Sequence, residues 1–144
     1  MKFSLAILLL PLQLTSCATA HHTVQNTSQL EELVGKEVLL ARELYLYRAA
    51  PHQFEFSPFV VSRGKQTVPP GKSAPFTFIE EWPTDKQVRI SEVKIVRRAG
   101  EQWLILLGES FSESQGESVI FEYLVGIVGE NVSAPFTDRP IEKK

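Results

Sequence analysis

From Lys36 onward, the pattern of apolar and polar positions predicts β-strands, some with alternating and some with continuous apolar residues. Residues 38–47 are rich in leucine and tyrosine, and we expect a bend or bulge where Arg42 and Glu43 interrupt them. The apolar run at residues 103–107 predicts a strand in a central position, and residues 119–125 predict another strand. The pattern therefore indicates a sheet built mainly from the second half of the chain.

The alternation over residues 88–95 changes phase in the middle of the run. Apolar residues occupy one set of alternate positions before Ser91-Glu92 and the other set after it. A phase shift inside a continuous strand predicts a β-bulge there. The alanine and glycine at 99–100 predict a hairpin turn, and the polar composition of residues 108–118 predicts a loop.

One short helix is predicted ahead of these strands. Ser28 and Glu31 have the spacing of a capping box. Leu30, Leu33 and Val34 then share one helical face, and the glycine that follows can end the helix in a left-handed conformation. We expect about two turns that close one end of the domain.

The order of these elements predicts a mainly β fold: a small curved or partly open β-barrel of about five or six strands with one short N-terminal helix. Residues 84–123, from T-D-K-Q-V-R-I through Trp103 to F-E-Y, resemble bacterial Src-homology-3-like domains. The resemblance implies a small barrel, a fold that serves many unrelated binding tasks.

The first residues have the pattern of an export signal. Lys2 precedes an apolar run of about 12 residues, which is too short to cross roughly 30 Å of hydrocarbon as a helix. A charged start followed by a run of this length is typical of a secretory signal peptide.

The only cysteine of the chain lies directly after this run. Leu14-Thr15-Ser16-Cys17 resembles the lipobox of bacterial lipoproteins. The resemblance implies cleavage before Cys17, acylation of its thiol and stable anchoring by more than one acyl chain. Ala18 occupies the position where an aspartate would resemble an inner-membrane retention signal, so the resemblance favours the outer membrane, on its periplasmic face.

A second cleavage pattern overlaps the first. Ala18-Thr19-Ala20 carries small residues at the two positions that a general signal peptidase reads, and cleavage after Ala20 would release a soluble secreted domain. The lipoprotein interpretation divides the chain into four parts. They are a signal peptide (1–16), a lipidated N-terminus with a polar tether (17–27), a small β-barrel domain (28–134) and a C-terminal tail (135–144).

The segment between Ala49 and Pro83 is the most distinctive part of the domain. Aromatic residues alternate with polar ones on either side of a Pro/Gly-rich stretch, which predicts two short strands around a loop. The aromatic residues either belong to the core or form a binding face with the basic residues of the loop. The residues of this predicted binding face are Phe59, Arg63, Lys65, Lys72, Phe76 and Trp82.

Charge and the chemistry-bearing residues narrow the function. The 15 basic and 17 acidic residues are interleaved and give a net charge of -2, which argues against nucleic acid as a partner. Residues at metal-ligand spacing, a cofactor motif and a recognisable catalytic set are missing from the sequence. The competing hypothesis is an enzyme that acts on an envelope polymer, with Glu80, Glu81 or His52 as its general acid or base.

The sequence thus favours a membrane-anchored envelope lipoprotein whose domain is a non-catalytic binding or assembly module. We expect no metal and no cofactor. Beyond the membrane, the expected partner is an envelope protein or the cell wall.

Overall fold

The structure is a computed structural model that describes residues 23–65, 75–129 and 133–142. These residues are mainly β, with one short helix, which confirms the predicted fold class at that level. The elements in chain order are β1 (Thr23–Val24), α1 (Thr27–Glu32), β2 (Glu37–Leu39), β3 (Leu44–Ala49), β4 (Phe59–Ser62), β5 (Phe76–Trp82), β6 (Gln87–Arg98), β7 (Glu101–Ser112), β8 (Glu117–Ile127) and β9 (Ala134–Thr137).

Seven strands form one sheet in the order β2-β6-β7-β8-β4-β3-β5. Its neighbours are antiparallel except for β4 and β8, which are parallel. Strands β2 and β5 are its two edges, and within the described part of the chain no strand pairing joins them, so the sheet is open. It has more strands than predicted because the chain breaks at Arg42 and Glu43, which sends β2 and β3 to different places in the sheet.

The long antiparallel strands β6, β7 and β8 confirm two local predictions. The register of β6 against β7 shifts between Ile90 and Glu92, where the phase change predicts a bulge. The turn from β6 to β7 is made by Ala99 and Gly100, with φ angles of 49° and 80°. Both residues are in the left-handed region, as the two central residues of a tight type I′ hairpin must be.

The prediction of a loop over residues 108–118 is wrong. Strand β7 continues to Ser112 and β8 begins at Glu117, so only a short turn separates them. The small residues of this segment are explained by packing. A Cβ on Gly108 would lie 2.5 Å from the ring of Phe121, and the Ser110 hydroxyl donates to the backbone oxygen of Gln87 at 2.8 Å.

The helix α1 forms close to the predicted place with a different cap. The Asn26 side chain, and not that of Ser28, accepts a hydrogen bond from the Gln29 backbone N–H at 2.9 Å. Gly35 has a φ of 82° and follows the helix as expected. Val34 is exposed because the chain has already left the helix before reaching it.

The folded part of the chain begins earlier than residue 28. Thr23 and Val24 pair with β9, and Val24 is fully buried. The last residues of the predicted tether, 17–27, therefore belong to the fold. Cys17 and the predicted signal peptide 1–16 lie outside the described residues.

The predicted C-terminal tail of surface coil is also wrong in its first part. All four residues of β9 are buried, and Phe136 is 0% exposed. The burial of this ring outweighs the preference of proline for coil. Pro135 lacks an N–H, but its carbonyl accepts a hydrogen bond from the Ala41 N–H at 2.8 Å.

The core joins strands that are distant in the order of the sheet. The ring of Trp82 on β5 meets that of Phe121 on β8 edge-on, with their centroids 5.2 Å apart. Strands β4 and β3 lie between β8 and β5 in the hydrogen-bonded order. The Ser112 hydroxyl on β7 likewise donates to the Glu80 carboxylate on β5.

Candidate binding surface

An aromatic surface covers strands β3 and β5 on the side of the sheet opposite Trp82. We call it the aromatic face and define it as Tyr45, Tyr47, Phe76 and Phe78. The two strands are antiparallel with Tyr47 opposite Phe78, and alternation puts the four rings on one side. Ring centroids are 5.8 Å apart for Tyr47 and Phe78, 6.3 Å for Tyr47 and Phe76, and 6.5 Å for Tyr45 and Phe78. These are the separations of edge-to-face and tilted aromatic contacts.

The aromatic face is buried at Tyr47 and exposed at Phe78. Tyr47 is buried, and its hydroxyl donates to the Gly64 carbonyl at 3.2 Å. Phe78 is 42% exposed, and the Lys65 ammonium lies 4.8 Å from the centre of its ring. An exposed ring with a cation above it offers both apolar area and positive charge to a ligand.

Arg63 stands next to this surface, at the end of a shallow groove. Its Nε donates to the Tyr123 hydroxyl at 2.7 Å, and its guanidinium also donates to the Ser133 carbonyl. The groove has a volume of about 390 Å³. It is lined by Tyr47, Val60, Val61, Ser62, Arg63, Phe76, Tyr123 and Leu124.

Tyr123 is neutral at physiological pH. Burial raises the pKa of its phenol above the ordinary value, and the positive charge and hydrogen bond of Arg63 offset only part of that effect. The phenol ring also packs edge-on against Phe136, with centroids 5.8 Å apart. Arg63 therefore connects the groove to the segment that leads into β9.

Three members of the predicted binding face meet here: Phe76 belongs to the aromatic face, Lys65 lies above it, and Arg63 lies beside it. Phe59 is half-buried, packs against the core and carries the Arg48 guanidinium 4.7 Å from its ring centre. Trp82 is 1% exposed and lies in the core, so it offers no binding area. Lys72 lies outside the described residues.

Sequence reasoning missed Tyr45 and Tyr47. Their alternation within residues 38–47 was visible, and it matches the spacing of Phe76 and Phe78. The local pattern could not predict that β3 pairs with β5, because the two strands lie some 30 residues apart in the chain. Only that pairing brings the four rings together.

The carboxylate of Glu80, one of the candidate acid–base groups, is engaged in the fold. It accepts hydrogen bonds from the Ser112 hydroxyl, from the Trp82 indole N–H at 3.1 Å and from Ser114. Burial alone would raise its pKa, but these hydrogen bonds and the charge of Lys86 bring the pKa below the ordinary value. Glu80 is thus ionised at neutral pH and holds no proton to donate as a general acid.

The other two acid–base candidates are exposed. Glu81 lies on β5, and His52 lies in the turn after β3 with a φ of 72°. Within residues 23–65, 75–129 and 133–142, no three His, Cys, Asp or Glu side chains are grouped so that they could hold a metal ion. The described chain also has no helix that is long and apolar enough to cross a membrane.

The first part of the 49–83 segment is held by a single buried carboxylate. Glu122 on β8 accepts hydrogen bonds from the backbone N–H groups of Glu55, Phe56 and Ser57, at 2.8 Å for Phe56. Arg98 on β6 is paired with Glu55. These contacts fix the loop between β3 and β4 against β6 and β8, so this part of the segment has a structural role.

Comparison with known proteins does not place the chain in a family. No family model matches it, and the comparisons with curated proteins and with solved structures found no match.

Proposed function

We propose that this protein is an envelope lipoprotein, held at the outer membrane by acyl chains on Cys17, whose β domain is a non-catalytic binding or assembly module. The observation that carries the binding role is the aromatic face, with Phe78 exposed beneath the Lys65 ammonium. A large exposed aromatic ring beside a cation is typical of interaction surfaces. The anchoring role rests on the lipobox.

The length of chain before the domain agrees with a membrane-proximal module. Five residues, 18–22, lie between Cys17 and Thr23, where β1 begins. A chain of that length spans at most about 20 Å even when fully extended. An acylated Cys17 would therefore keep the domain close to the lipid surface, where its partner would be an envelope protein or the cell wall.

The non-catalytic part of the proposal is supported by the state of Glu80. Its carboxylate oxygens already accept several hydrogen bonds, and its lowered pKa keeps it ionised. These contacts join β5 to β7 and to the turn that follows β7. A structural role in holding one end of β5 accounts for them.

The anchoring part is tested on the native protein and a Cys17→Ala variant. Intact mass should show acyl groups on the wild-type chain, and fractionation should place that chain with the membrane. The variant should carry no acyl groups and should not partition with the membrane. A wild-type chain that is soluble and begins at His21 would contradict anchoring and favour cleavage after Ala20.

The binding part is tested by cross-linking in intact envelopes with two matched variants. Phe78→Ala removes the exposed ring of the aromatic face, whereas Phe111→Ala removes a ring that is 52% exposed on β7, away from this face. We expect the cross-linked product of the wild-type domain to be lost in Phe78→Ala and kept in Phe111→Ala. Equal products from all three proteins would contradict a binding role for the aromatic face.

We further propose that the seven-stranded sheet is the wall of a partly open barrel. Three strand spacings would separate β8 from β5 by about 14 Å in a flat sheet. The 5.2 Å contact of Trp82 with Phe121 favours strong curvature instead. Spin labels at positions 37 and 81, on the two edge strands and in a Cys17→Ala background, test this. A flat sheet predicts about 29 Å between the edges, and a partly open barrel predicts much less.

A further inference from the structure

The edge of β5 that faces away from β3 has backbone groups that no strand of the described part of the chain pairs with. Within the described residues, β5 pairs only with β3. The Ala50 N–H donates to the Pro75 carbonyl at 2.7 Å, so the backbone of Pro75 faces β3. Because backbone groups alternate in direction along a strand, those of Thr77 also face β3 and those of Phe76 and Phe78 point away from it. Such an edge can accept another strand.

Two opposite charges lie on the side of β5 that carries the aromatic face, at different positions along the strand. Glu81 lies opposite Tyr45 in the pairing of β5 with β3, which puts its side chain on the same side as the aromatic face. The ammonium of Lys65, from the segment after β4, lies at the ring of Phe78, three residues before Glu81. Within residues 23–65, 75–129 and 133–142, neither Lys65 nor Glu81 has an oppositely charged partner.

We propose that two copies of this chain pair antiparallel through the free edges of β5 and form a two-fold symmetric dimer. Antiparallel pairing with the two-fold axis between Ile79 and Glu80 places Glu81 of each copy opposite Phe78 of the other, and therefore next to the Lys65 ammonium at that ring. The two-fold axis makes this contact twice, since the same surface is used by both copies. The two aromatic faces then become one continuous surface.

The remaining acidic residue of β5 does not oppose this pairing. Glu80 points to the other side of the sheet, where Ser112 and Trp82 of its own chain donate to its carboxylate. Its charge is thus satisfied within each copy. On the side of the aromatic face, the charge is positive at Phe78, through Lys65, and negative at Glu81. This order is complementary to itself when the strand is reversed, which favours a second copy over an unrelated strand.

Charge reversal tests the dimer in the full-length protein. The chain, purified in mild detergent, is examined by sedimentation velocity as the wild type, as Lys65→Glu, as Glu81→Lys and as the double variant. Each single reversal replaces two symmetric attractions by two repulsions and should weaken the dimer about tenfold or more. The double variant restores the opposite charges and should restore the dimer.

Two matched controls carry the same charge changes elsewhere. Glu32→Lys at the end of α1 and Lys36→Glu after it alter exposed residues away from β5, and both should leave the dimer intact. Circular dichroism tests whether each variant is folded. If Glu81→Lys does not fold, Glu81→Gln replaces it as a milder variant. A wild-type chain that is monomeric throughout overturns the proposal. So does a dimer that both single reversals leave unchanged, or one that the double variant fails to restore.

Discussion

The two edges of the main sheet differ in whether another segment of the chain covers them. At the β2 edge, the C-terminal segment covers the strand: the Leu39 N–H donates to the Thr137 hydroxyl oxygen at 3.1 Å, the Ala41 N–H to the Pro135 carbonyl, and the Ile141 N–H to the Glu37 carbonyl. At the β5 edge, the described chain supplies no such cover.

This difference indicates which strand edge is accessible to a partner. Unpaired strand edges invite other chains to pair with them, and proteins usually protect them. This protein closes the β2 edge with buried residues of its own. At the β5 edge it instead has an aromatic face, a cation and an anion, which are the properties of a surface that makes contacts.

The largest contrast should come from removing one phenylalanine ring at each edge. Phe136→Ala at the closed edge removes a fully buried ring, and we expect a loss of about 3–5 kcal/mol in the free energy of unfolding. Phe78→Ala at the open edge removes a half-exposed ring and should cost about 1 kcal/mol. Denaturant titration measures both. Equal losses would contradict the distinction between the edges.

A pair of threonine substitutions sharpens the comparison for hydrogen bonding. Thr137→Val removes the acceptor of the Leu39 N–H and leaves that partly buried donor unpaired, which should cost about 1–2 kcal/mol. Thr77→Val makes the same change at an exposed position of β5 and should stay within about 0.5 kcal/mol of the wild type. Thermal unfolding of the two variants provides the comparison, and a cost at Thr77 as large as that at Thr137 would count against it.

Glu80→Gln tests how much the hydrogen bonds of the Glu80 carboxylate, on the side of β5 opposite the aromatic face, stabilise the fold. The variant loses charge-assisted hydrogen bonds from Ser112 and Trp82 at a partly exposed site, so we expect a loss of about 1 kcal/mol at neutral pH. The folded-state pKa of Glu80 is lowered, so its contribution is present above the unfolded pKa and lost as the pH falls below about 4.5 and through the folded pKa.

The difference between the wild type and Glu80→Gln should therefore shrink on acidification. Unfolding titrations of both proteins at neutral and acidic pH measure it. A difference that does not depend on pH would show that the ionised carboxylate is not what the contacts stabilise.

The smallest effect should be that of Lys65 on the stability of a single copy. Replacing it by methionine removes one exposed cation from the Phe78 ring, and we expect a loss of about 0.5 kcal/mol or less. Thermal unfolding in dilute solution measures this. A loss well above that figure would assign Lys65 a structural role and weaken the interpretation of its charge as available to a partner.

Local sequence patterns predicted the local features of the fold well. The bulge beside Ser91 and the turn at Ala99 and Gly100 follow from residues within a few positions of each other. The helix was also predicted, although its cap is Asn26. These features depend on short-range geometry, which a hydrophobic period and a few turn residues determine.

The closed edge and the aromatic face were not predictable in the same way. Phe136 lies between two prolines in a polar tail, and its burial depends on strands that precede it by some 90 residues. The assignment of Trp82 to the predicted binding face failed for a similar reason, since the local pattern does not say which side of β5 meets Phe121. Long-range pairing decides both.

Residue-level hydrogen exchange tests the contrast between the edges most directly. Measured in dilute solution, the Leu39 and Ala41 amides should be protected, because their acceptors belong to the C-terminal segment, while the Phe76 and Phe78 amides should exchange rapidly. In concentrated solution the Phe76 and Phe78 amides should become protected as the β5 edges pair. Protection of these two amides at every concentration would contradict the account, because it would mean that the chain itself closes the β5 edge.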